Sequence, residues 1–296
     1  MKFGAIDIGT NAARLLVGEV CHDESHYYVK KISYTRIPLR LGDDVFETGK
    51  ISKIKLQNTI DSLMAFKLIA GIFEVEQLRA VATSAMREAK NAPKVISKVL
   101  QHTGVQIEVI SGQEEADLIF GTFMLLDFDK NSSFVVVDVG GGSTEISIFE
   151  NGMKTAAKSF EIGTIRLLKE KVDESLWDEL SYWLKENIDF STDHQLFGTG
   201  GNINKIHKII GLKDKAPVDL KSMKKLYENL IDLSVEERID QFHLKPDRAD
   251  VIVPALKIYL HVMNEINCDK ISVPKIGLSD GMIYDMYQRR TKNQID

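Results

Sequence analysis

The chain of 296 residues is 44% hydrophobic and 27% charged, with a formal net charge of −5 and only two cysteines. This composition predicts a cytoplasmic globular protein of two domains, and argues against a membrane-spanning protein, a disulfide-stabilised scaffold and a non-specific nucleic-acid binder. The first apolar strand begins within three residues of Met1, which leaves no room for a signal peptide.

Three strands open the first half of the chain, and helices and strands alternate after them. Alternating apolar residues predict strands, and apolar residues spaced three and four apart predict helices. In chain order, the predicted elements are strands 2–9, 13–20 and 27–36, helix 53–72, strand 78–83, helix 92–103, strand 105–110 and helix 112–126. Asn91 is expected to cap the helix at 92–103, and Gly104 to end it.

The second half repeats much of this order after a polar stretch at 127–132. Asn151 and Gly152 predict a hairpin turn. The predicted elements are strands 133–139, 144–150 and 153–161, helices 164–171 and 174–188, strand 194–198, helices 202–210, 220–232 and 247–266, strand 270–273 and helix 279–291. We expect an α/β protein with domains at 1–127 and 128–278, and a C-terminal segment, 279–296, that packs back on the first domain.

The most informative stretch is FVVVDVGGGSTEISIF at 134–149. It predicts two strands joined by a turn that contains Gly140, Gly141 and Gly142. Consecutive glycines let the backbone approach a ligand closely, and their N–H groups can form a concave nest for an anion. Because Asp138 and Glu145 flank this turn, a phosphate here needs a hard cation such as Mg²⁺ beside it.

Two other segments also place glycines directly after an apolar strand. In KFGAIDIGTNAARLLVGEV, at 2–20, a strand ends at Asp7 and a turn follows with Thr10 and Asn11. A hairpin turn of this kind is by itself more often structural than functional. In FGTGGNINKI, at 197–206, Gly200 and Gly201 lie between a strand and a helix, whose N-terminus suits an anion.

Two segments of the first half carry candidate catalytic groups. In ISGQEEADLIFG, at 110–121, Ser111 and Glu114 have the spacing of a capping box, so Glu114 has a structural explanation. Glu115 can orient a water molecule or accept its proton, although first-turn glutamates also simply suit the helix dipole. In AVATSAMREAKNA, at 80–92, a strand leads to Ser84 and to Arg87, whose planar fork of donors matches phosphate oxygens.

Together these segments resemble the exopolyphosphatase/guanosine pentaphosphate phosphatase (Ppx/GppA) family of the actin-like ATPase superfamily. The family's order is kept by DIGTNAARLL, ATSAMREAKN, ISGQEEADLIFG, VVDVGGGSTEIS, FGTGGNINKI and GLSDGM, which cover residues 4 to about 285. ATSAMREAKN and ISGQEEA distinguish this family from the rest of the superfamily.

The resemblance implies two ribonuclease-H-like domains with an interdomain cleft that holds Mg²⁺, or Mn²⁺, and a phosphate chain. It implies that Glu115 positions the attacking water and that Asp138, Glu145 and Asp7 serve the metal. It assigns substrate contacts to Arg87, Thr10, Asn11, Ser84, Gly140, Gly141, Gly142, Ser143, Arg166, Gly200 and Gly201.

The chain departs from the family at three points. Thr10-Asn11-Ala12 replaces the common Ser-Asn-Ser, and Asn202 stands where Thr is usual. The C-terminal HD-type domain of long family members is not found, so short polyphosphates are the expected substrates.

The resemblance implies Mg²⁺-dependent hydrolysis of the terminal phosphate of inorganic polyphosphate. The alternatives are hydrolysis of guanosine pentaphosphate by the same groups, an actin-like kinase, and a non-catalytic polyphosphate or nucleotide sensor. Neither nucleic acid nor a membrane is expected as a partner, and a homodimer is left open.

Overall fold

A computed structural model describes residues 1–22, 27–123, 125–126, 131–214 and 216–292. The chain forms two compact units. Unit 1 comprises Met1–Phe128 and Ile276–Asp296, and unit 2 comprises Asp129–Lys275. Most of the predicted linker at 127–132 lies outside the described residues, because these stop at 126 and resume at 131.

Each unit begins with three consecutive strands, and helices and further strands follow. The strands are β1 (Lys2–Ile8), β2 (Ala13–His22), β3 (Tyr27–Ile37), β4 (Gln77–Ala82), β5 (Ile107–Val109), β6 (Phe134–Val139), β7 (Thr144–Glu150), β8 (Met153–Phe160), β9 (Gln195–Thr199), β10 (Val218–Asp219) and β11 (Lys270–Ser272). The helices are α1 (Leu41–Thr48), α2 (Lys53–Ile72), α3 (Ser84–Glu88), α4 (Ala92–Thr103), α5 (Gly112–Phe123), α6 (Thr164–Leu168), α7 (Glu174–Asn187), α8 (Gly200–Ile210), α9 (Leu220–Ile231), α10 (Val235–Phe242), α11 (Pro246–Ala249), α12 (Ile252–Glu265) and α13 (Leu278–Lys292).

The sheet of unit 1 has the strand order β3-β2-β1-β4-β5. Antiparallel hairpins join β1 to β2 and β2 to β3, whereas β4 is parallel to both β1 and β5. Parallel strands end at the same edge of a sheet, and here the last residues Ile8, Ala82 and Val109 are aligned. The segments that leave these strands therefore begin side by side.

Helix α13 returns the chain to unit 1 and packs against α5 and the sheet. Its buried apolar side chains are Leu278, Met282, Ile283 and Met286. A Cβ atom at Gly281 would lie 2.0 Å from the carbonyl oxygen of Leu118, so α13 and α5 cross at a point that only glycine allows. An ion pair of 2.8 Å between Asp285 and Arg79 also ties α13 to β4.

The sheet of unit 2 has the order β10-β11-β9-β6-β7-β8. From β8 to β11 it repeats the pattern of unit 1, with two antiparallel hairpins followed by two parallel pairings. The hydrophobic core lies between the inner strands and helices α7, α8, α9 and α12, and includes Trp177, Leu180, Leu184 and Tyr259. The predicted turn at Asn151 and Gly152 is present, with both residues at positive φ.

Some predicted elements differ from the structure. The predicted helix 247–266 is two helices, because Pro254 lacks an N–H and is tolerated only in the first turn of α12. The short helices α1, α3 and α10 and the two-residue strand β10 were not predicted. The Asn91 side chain does not cap α4, since its amide exchanges hydrogen bonds with the backbone of Ile51 at 2.8 and 2.9 Å.

Across the described ranges, no helix is both long and apolar enough to cross a membrane.

Candidate functional site

The hairpin of β6 and β7 places two carboxylates side by side in unit 2. Asp138 and Glu145 are direct partners across these antiparallel strands. Side chains at such positions project from the same face, with Cβ atoms roughly 4.5–5.5 Å apart. Glu145 is buried and Asp138 is partly exposed, and the two carboxylates form one acidic pair at the glycine turn.

Hydrogen bonds from α6 hold the glycine turn at 140–142 on one side. All three glycine carbonyls accept from the first residues of this helix. The bonds run from Thr164 N to Gly140 O at 3.0 Å, from Ile165 N and Arg166 N to Gly141 O at 2.8 and 3.2 Å, and from Arg166 Nε to Gly142 O at 2.8 Å.

These bonds orient the peptide groups of the turn. In a trans peptide the N–H points away from the preceding C=O, and the chain contains no cis peptide among its described residues. The N–H groups of Gly141, Gly142 and Ser143 therefore point away from α6. Successive N–H groups with a common direction form a nest that binds an anion such as a phosphate oxygen.

Hydroxyl groups hold the acidic pair in place. Thr199 Oγ1 donates to Asp138 Oδ2 at 2.8 Å. Ser143 Oγ and Ser159 Oγ both donate to Glu145 Oε1, at 2.6 and 2.8 Å. These hydrogen bonds fix the orientation of both carboxylates, so the site supplies oxygen ligands in defined positions.

The acidic pair is suited to a hard divalent cation. Among the described residues, no group of three or more His, Cys, Asp and Glu side chains is placed to hold a metal ion. Mg²⁺, however, is usually bound through one or two carboxylates together with water and substrate phosphates. Asp138 and Glu145 beside an anion nest fit that donor set.

The third glycine segment packs directly on Asp138. Gly200 has a φ of +84°, and a Cβ there would lie 2.6 Å from Asp138 Oδ1. Tyr259 donates to the carbonyl of Thr199 at 3.1 Å. Burial, together with the charge of Asp138, raises the pKa of Tyr259 well above its ordinary value, so the phenol remains a donor.

Arg248 is a residue at this site that sequence reasoning missed. A Cβ at Gly201 would lie 2.6 Å from its Nη2, which places the guanidinium against the first turn of α8. Asn202 accepts from Arg248 Nη1 at 3.2 Å and donates to the carbonyl of Val139 at 2.7 Å. Asn202, which stands where the family usually has Thr, thus links Arg248 to the strand that leads into the glycine turn.

In unit 1, the turn after β1 is joined to α1 and α3. The carbonyls of Thr10 and Asn11 accept from Gly42 N and Arg40 N at 3.1 and 2.9 Å. Thr10 Oγ1 accepts from Ala85 N at 3.3 Å, at the start of α3. Both residues are buried, and these hydrogen bonds hold the turn through its carbonyls and its threonine hydroxyl.

Asp7 forms an ion pair that the sequence did not indicate. Arg14 lies directly opposite it on β2, and Arg14 Nη1 is 2.5 Å from Asp7 Oδ2. A carboxylate held by an arginine has less charge to offer a cation. The expected contribution of Asp7 to a metal through water must therefore compete with this pair.

Three candidates of unit 1 follow the aligned ends of β4 and β5. Ser84 Oγ donates to Glu88 Oε1 at 2.9 Å, so this hydroxyl also serves α3 itself. The exposed Arg87 donates from Nη1 to the carbonyl of Ile110 at 2.8 Å. This bond holds the Arg87 guanidinium at the segment that enters α5, the helix of Glu115.

The two glutamates at the start of α5 have different environments. Glu114 accepts from Ser111 N and Ser111 Oγ at 2.7 and 2.9 Å, and Glu114 N donates to Ser111 Oγ at 3.1 Å. This is the predicted capping box, and its hydrogen bonds lower the pKa of Glu114. Glu115 is half-buried, and its N–H donates to Ser111 O at 3.0 Å.

Three relatives are similar to this chain over most of its length. It is 28% identical to a bifunctional 3-dehydroquinate synthase/phosphatase of Fusobacterium nucleatum, covering 91% of the chain and 44% of that protein. It is 25% identical to a guanosine-5'-triphosphate,3'-diphosphate pyrophosphatase of Photobacterium profundum, covering 99% of the chain and 61% of that protein. It is 27% identical to exopolyphosphatase 2 of Mycobacterium tuberculosis, covering 95% of the chain and 97% of that protein. The chain thus spans about half the length of the first two relatives.

Solved structures share the fold. An exopolyphosphatase from Cytophaga hutchinsonii superimposes with a TM-score of 0.83 at 23% identity, covering 98% of both chains. A Ppx/GppA family member from Aquifex aeolicus gives a TM-score of 0.74 at 25% identity, also over 98% of both chains. The predicted fold class, two α/β domains of the actin-like ATPase type, is confirmed.

A family model also matches. The model describes the Ppx/GppA phosphatase family and covers residues 20–290 of this chain, including both carboxylates of the glycine hairpin, Arg87 and Glu115. The chain therefore belongs to the Ppx/GppA phosphatase family.

Proposed function

We propose that this protein hydrolyses the terminal phosphoanhydride bond of inorganic polyphosphate and releases orthophosphate. The observation that carries the proposal is the glycine turn of unit 2, whose peptide groups present three N–H donors beside Asp138 and Glu145. Phosphoryl transfer to water depends mainly on positioning and on stabilising charge, and fixed N–H donors supply both.

In this proposal each residue has a separate task. The nest of Gly141, Gly142 and Ser143 binds phosphate oxygens, and Arg87 adds a positive charge. Glu115 orients the attacking water and accepts its proton, a task that suits a half-buried carboxylate not used in the capping box. Arg248 joins the substrate-binding groups because it lies at the first turn of α8.

Asp138 and Glu145 would hold a divalent cation, which we propose to be Mg²⁺. When bound, such an ion neutralises negative charge on the phosphate chain. The hydroxyls of Thr199, Ser143 and Ser159 keep both carboxylates oriented, which lowers the cost of assembling the donor set.

Guanosine pentaphosphate is the second candidate substrate. The relative from Photobacterium profundum, which matches 99% of this chain, is named for hydrolysis of this nucleotide. The groups that handle the terminal phosphate would be the same, and the two candidates would differ only in what is bound beyond that phosphate.

The test is an orthophosphate-release assay with polyphosphates of graded length and with guanosine pentaphosphate, each at several Mg²⁺ concentrations. We expect release from polyphosphate that requires Mg²⁺ and that is lost in Glu115→Gln. Faster release from guanosine pentaphosphate would favour the second substrate. Tight binding of both substrates with no release would identify the protein as a sensor and overturn the proposal.

A further inference from the structure

The phosphate nest depends on a clamp behind it, and that clamp includes a buried arginine side chain. Arg166 is 7% exposed, and its Nε donates to the carbonyl of Gly142 at 2.8 Å. We propose that Arg166 is a positioning residue, which fixes the direction of the Gly142–Ser143 peptide and thereby aims the Ser143 N–H at the substrate phosphate. This inference rests on the proposed function, since it explains how that phosphate site is held.

The turn needs such a clamp because of its own composition. Glycine adopts positive and negative φ with similar ease, so the peptide between Gly142 and Ser143 has more than one accessible orientation. If this peptide group rotated to the opposite orientation, the Gly142 carbonyl, instead of the Ser143 N–H, would point towards the anion. The hydrogen bond from Arg166 Nε holds one orientation, because breaking it would leave a buried charged donor without its acceptor.

The backbone before Arg166 contributes to the same clamp. A Cβ at Gly163 would lie 2.4 Å from the carbonyl carbon of Gly142 and 2.5 Å from the carbonyl oxygen of Gly141. The loop therefore lies in direct contact with the turn. Thr164 N and Ile165 N bind the first two glycine carbonyls, and the Arg166 side chain binds the third.

This role differs from direct binding of substrate by Arg166 charge. The charge is partly matched by Glu161, whose carboxylate lies 3.5 Å from Arg166 Nη1. In the positioning role the essential feature is an N–H donor at the position of Nε. In the direct role the essential feature is the positive charge.

Three substitutions separate these roles. Gln carries its amide nitrogen at the same number of bonds from Cα as Arg Nε, so Arg166→Gln keeps the donor and removes the charge. Arg166→Lys keeps the charge but has a methylene at that position. Arg166→Met keeps the approximate length and has neither feature.

The first readout is steady-state hydrolysis of tripolyphosphate. We expect Arg166→Gln to retain kcat/KM within about threefold, and Arg166→Lys and Arg166→Met to lose roughly tenfold or more, since one donor to a reacting phosphate can contribute 10²–10³. The loss should include a higher KM, because the nest binds the phosphate before it reacts. If Arg166→Lys kept its activity and Arg166→Gln lost it, the inference would be overturned, and Arg166 would instead contact the substrate phosphate through its charge.

The second readout does not require hydrolysis. In protein labelled with ¹⁵N-serine, tripolyphosphate should shift the amide resonance of Ser143 in wild type and in Arg166→Gln, and much less in Arg166→Met. Equal shifts in all variants, or none in wild type, would overturn the clamp. If wild type releases no phosphate but its Ser143 amide responds as described, the proposed hydrolysis fails and the positioning role stands. Should the Lys and Met variants fail to fold, the Arg166→Gln result alone decides between donor and charge.

Discussion

At the scale of single residues, the adjacent glutamates of α5 provide a matched pair of substitutions. We predict that Glu115→Gln lowers kcat by roughly two to four orders of magnitude with little change in KM, because a neutral amide cannot accept the proton of the attacking water. The measurement is steady-state phosphate release at saturating Mg²⁺.

Glu114→Gln is the control, since the same change is made one residue earlier. Its side chain bonds to Ser111 N and Oγ, and Gln can still accept both hydrogen bonds. We expect nearly normal kcat and a small decrease in melting temperature. An essential Glu114 beside a dispensable Glu115 would reverse the assignment.

A second prediction at this scale concerns the acidic pair. Asp138→Asn and Glu145→Gln should each raise the Mg²⁺ concentration needed for half-maximal activity, because each removes charge from the proposed cation site. Ser159→Ala should have a smaller effect in the same direction, since Ser143 still donates to Glu145 Oε1. If Mg²⁺ titrations of both carboxylate variants match that of wild type, the metal assignment fails.

At the scale of elements, the crossing of α13 and α5 depends on one glycine. Gly281→Ala should lower the free energy of unfolding by roughly 1–3 kcal/mol, because the added methyl meets the Leu118 carbonyl at 2.0 Å and the helices must separate. Urea denaturation of the variant and of wild type measures this difference in the free energy of unfolding.

Gly121→Ala is the matched control on the same pair of helices. A Cβ there meets Tyr284 Cδ1 at 3.8 Å, an ordinary contact. Alanine also favours a helix interior over glycine by about 1 kcal/mol, so the variant should be as stable as wild type or more so. Equal destabilisation by both substitutions would show that the close crossing is unimportant.

The first turn of α13 contains a buried carboxylate, Asp280, that makes the free energy of unfolding depend on pH. Burial raises the pKa of Asp280, although its ion pair with Lys31 at 2.9 Å acts in the opposite direction. The native state therefore holds this proton more tightly than the unfolded chain does. This contribution to the free energy of unfolding is fully present below the ordinary pKa near 4, and it is lost as pH rises through the raised pKa.

Asp280→Asn removes this titration and leaves an acceptor for Gly277 N, which now donates to Asp280 Oδ2 at 3.1 Å. Relative to wild type, the variant should gain stability as pH rises from about 4 towards neutrality. Denaturation of both proteins across this pH range measures the difference in their free energies of unfolding. The other titratable groups are the same in both proteins, so their contributions cancel in this difference. A difference that is constant or that falls with pH would contradict the prediction.

At the scale of the whole molecule, unit 2 is one continuous segment whereas unit 1 is built from two. The segment 129–275 includes its own sheet and hydrophobic core. We predict that this segment folds when expressed alone, with a cooperative denaturation transition and helical and strand signals in circular dichroism.

The segment 1–128 should not fold alone. Without α13 it lacks the buried side chains of Leu278, Met282, Ile283 and Met286, each contributing roughly 1.5–3 kcal/mol, which together rival the 5–15 kcal/mol stability of a typical domain. Adding a peptide of residues 276–296 should restore structure. A stable 1–128 fragment would show that α13 is dispensable to unit 1.

The features that the sequence determined are those that depend on neighbours along the chain. The glycine turn between two strands, the Asn151-Gly152 hairpin and the Ser111–Glu114 capping box all follow from residues within a few positions of one another. Because local backbone preference and short-range hydrogen bonds decide these features, the motifs could be read directly, whereas the two-domain fold was implied by the order of the elements and by the family resemblance.

Only the tertiary structure decided how distant residues complete the site. Arg166 acts on a glycine 24 residues away, and Arg248 bonds to Asn202 across 46 residues. Asp7 and Arg14 are close in sequence, but only the register of β1 and β2 sets them opposite each other. A sequence gives the donors and acceptors, but a hydrogen bond needs both within about 3 Å and in line, and strand register and helix packing set that geometry.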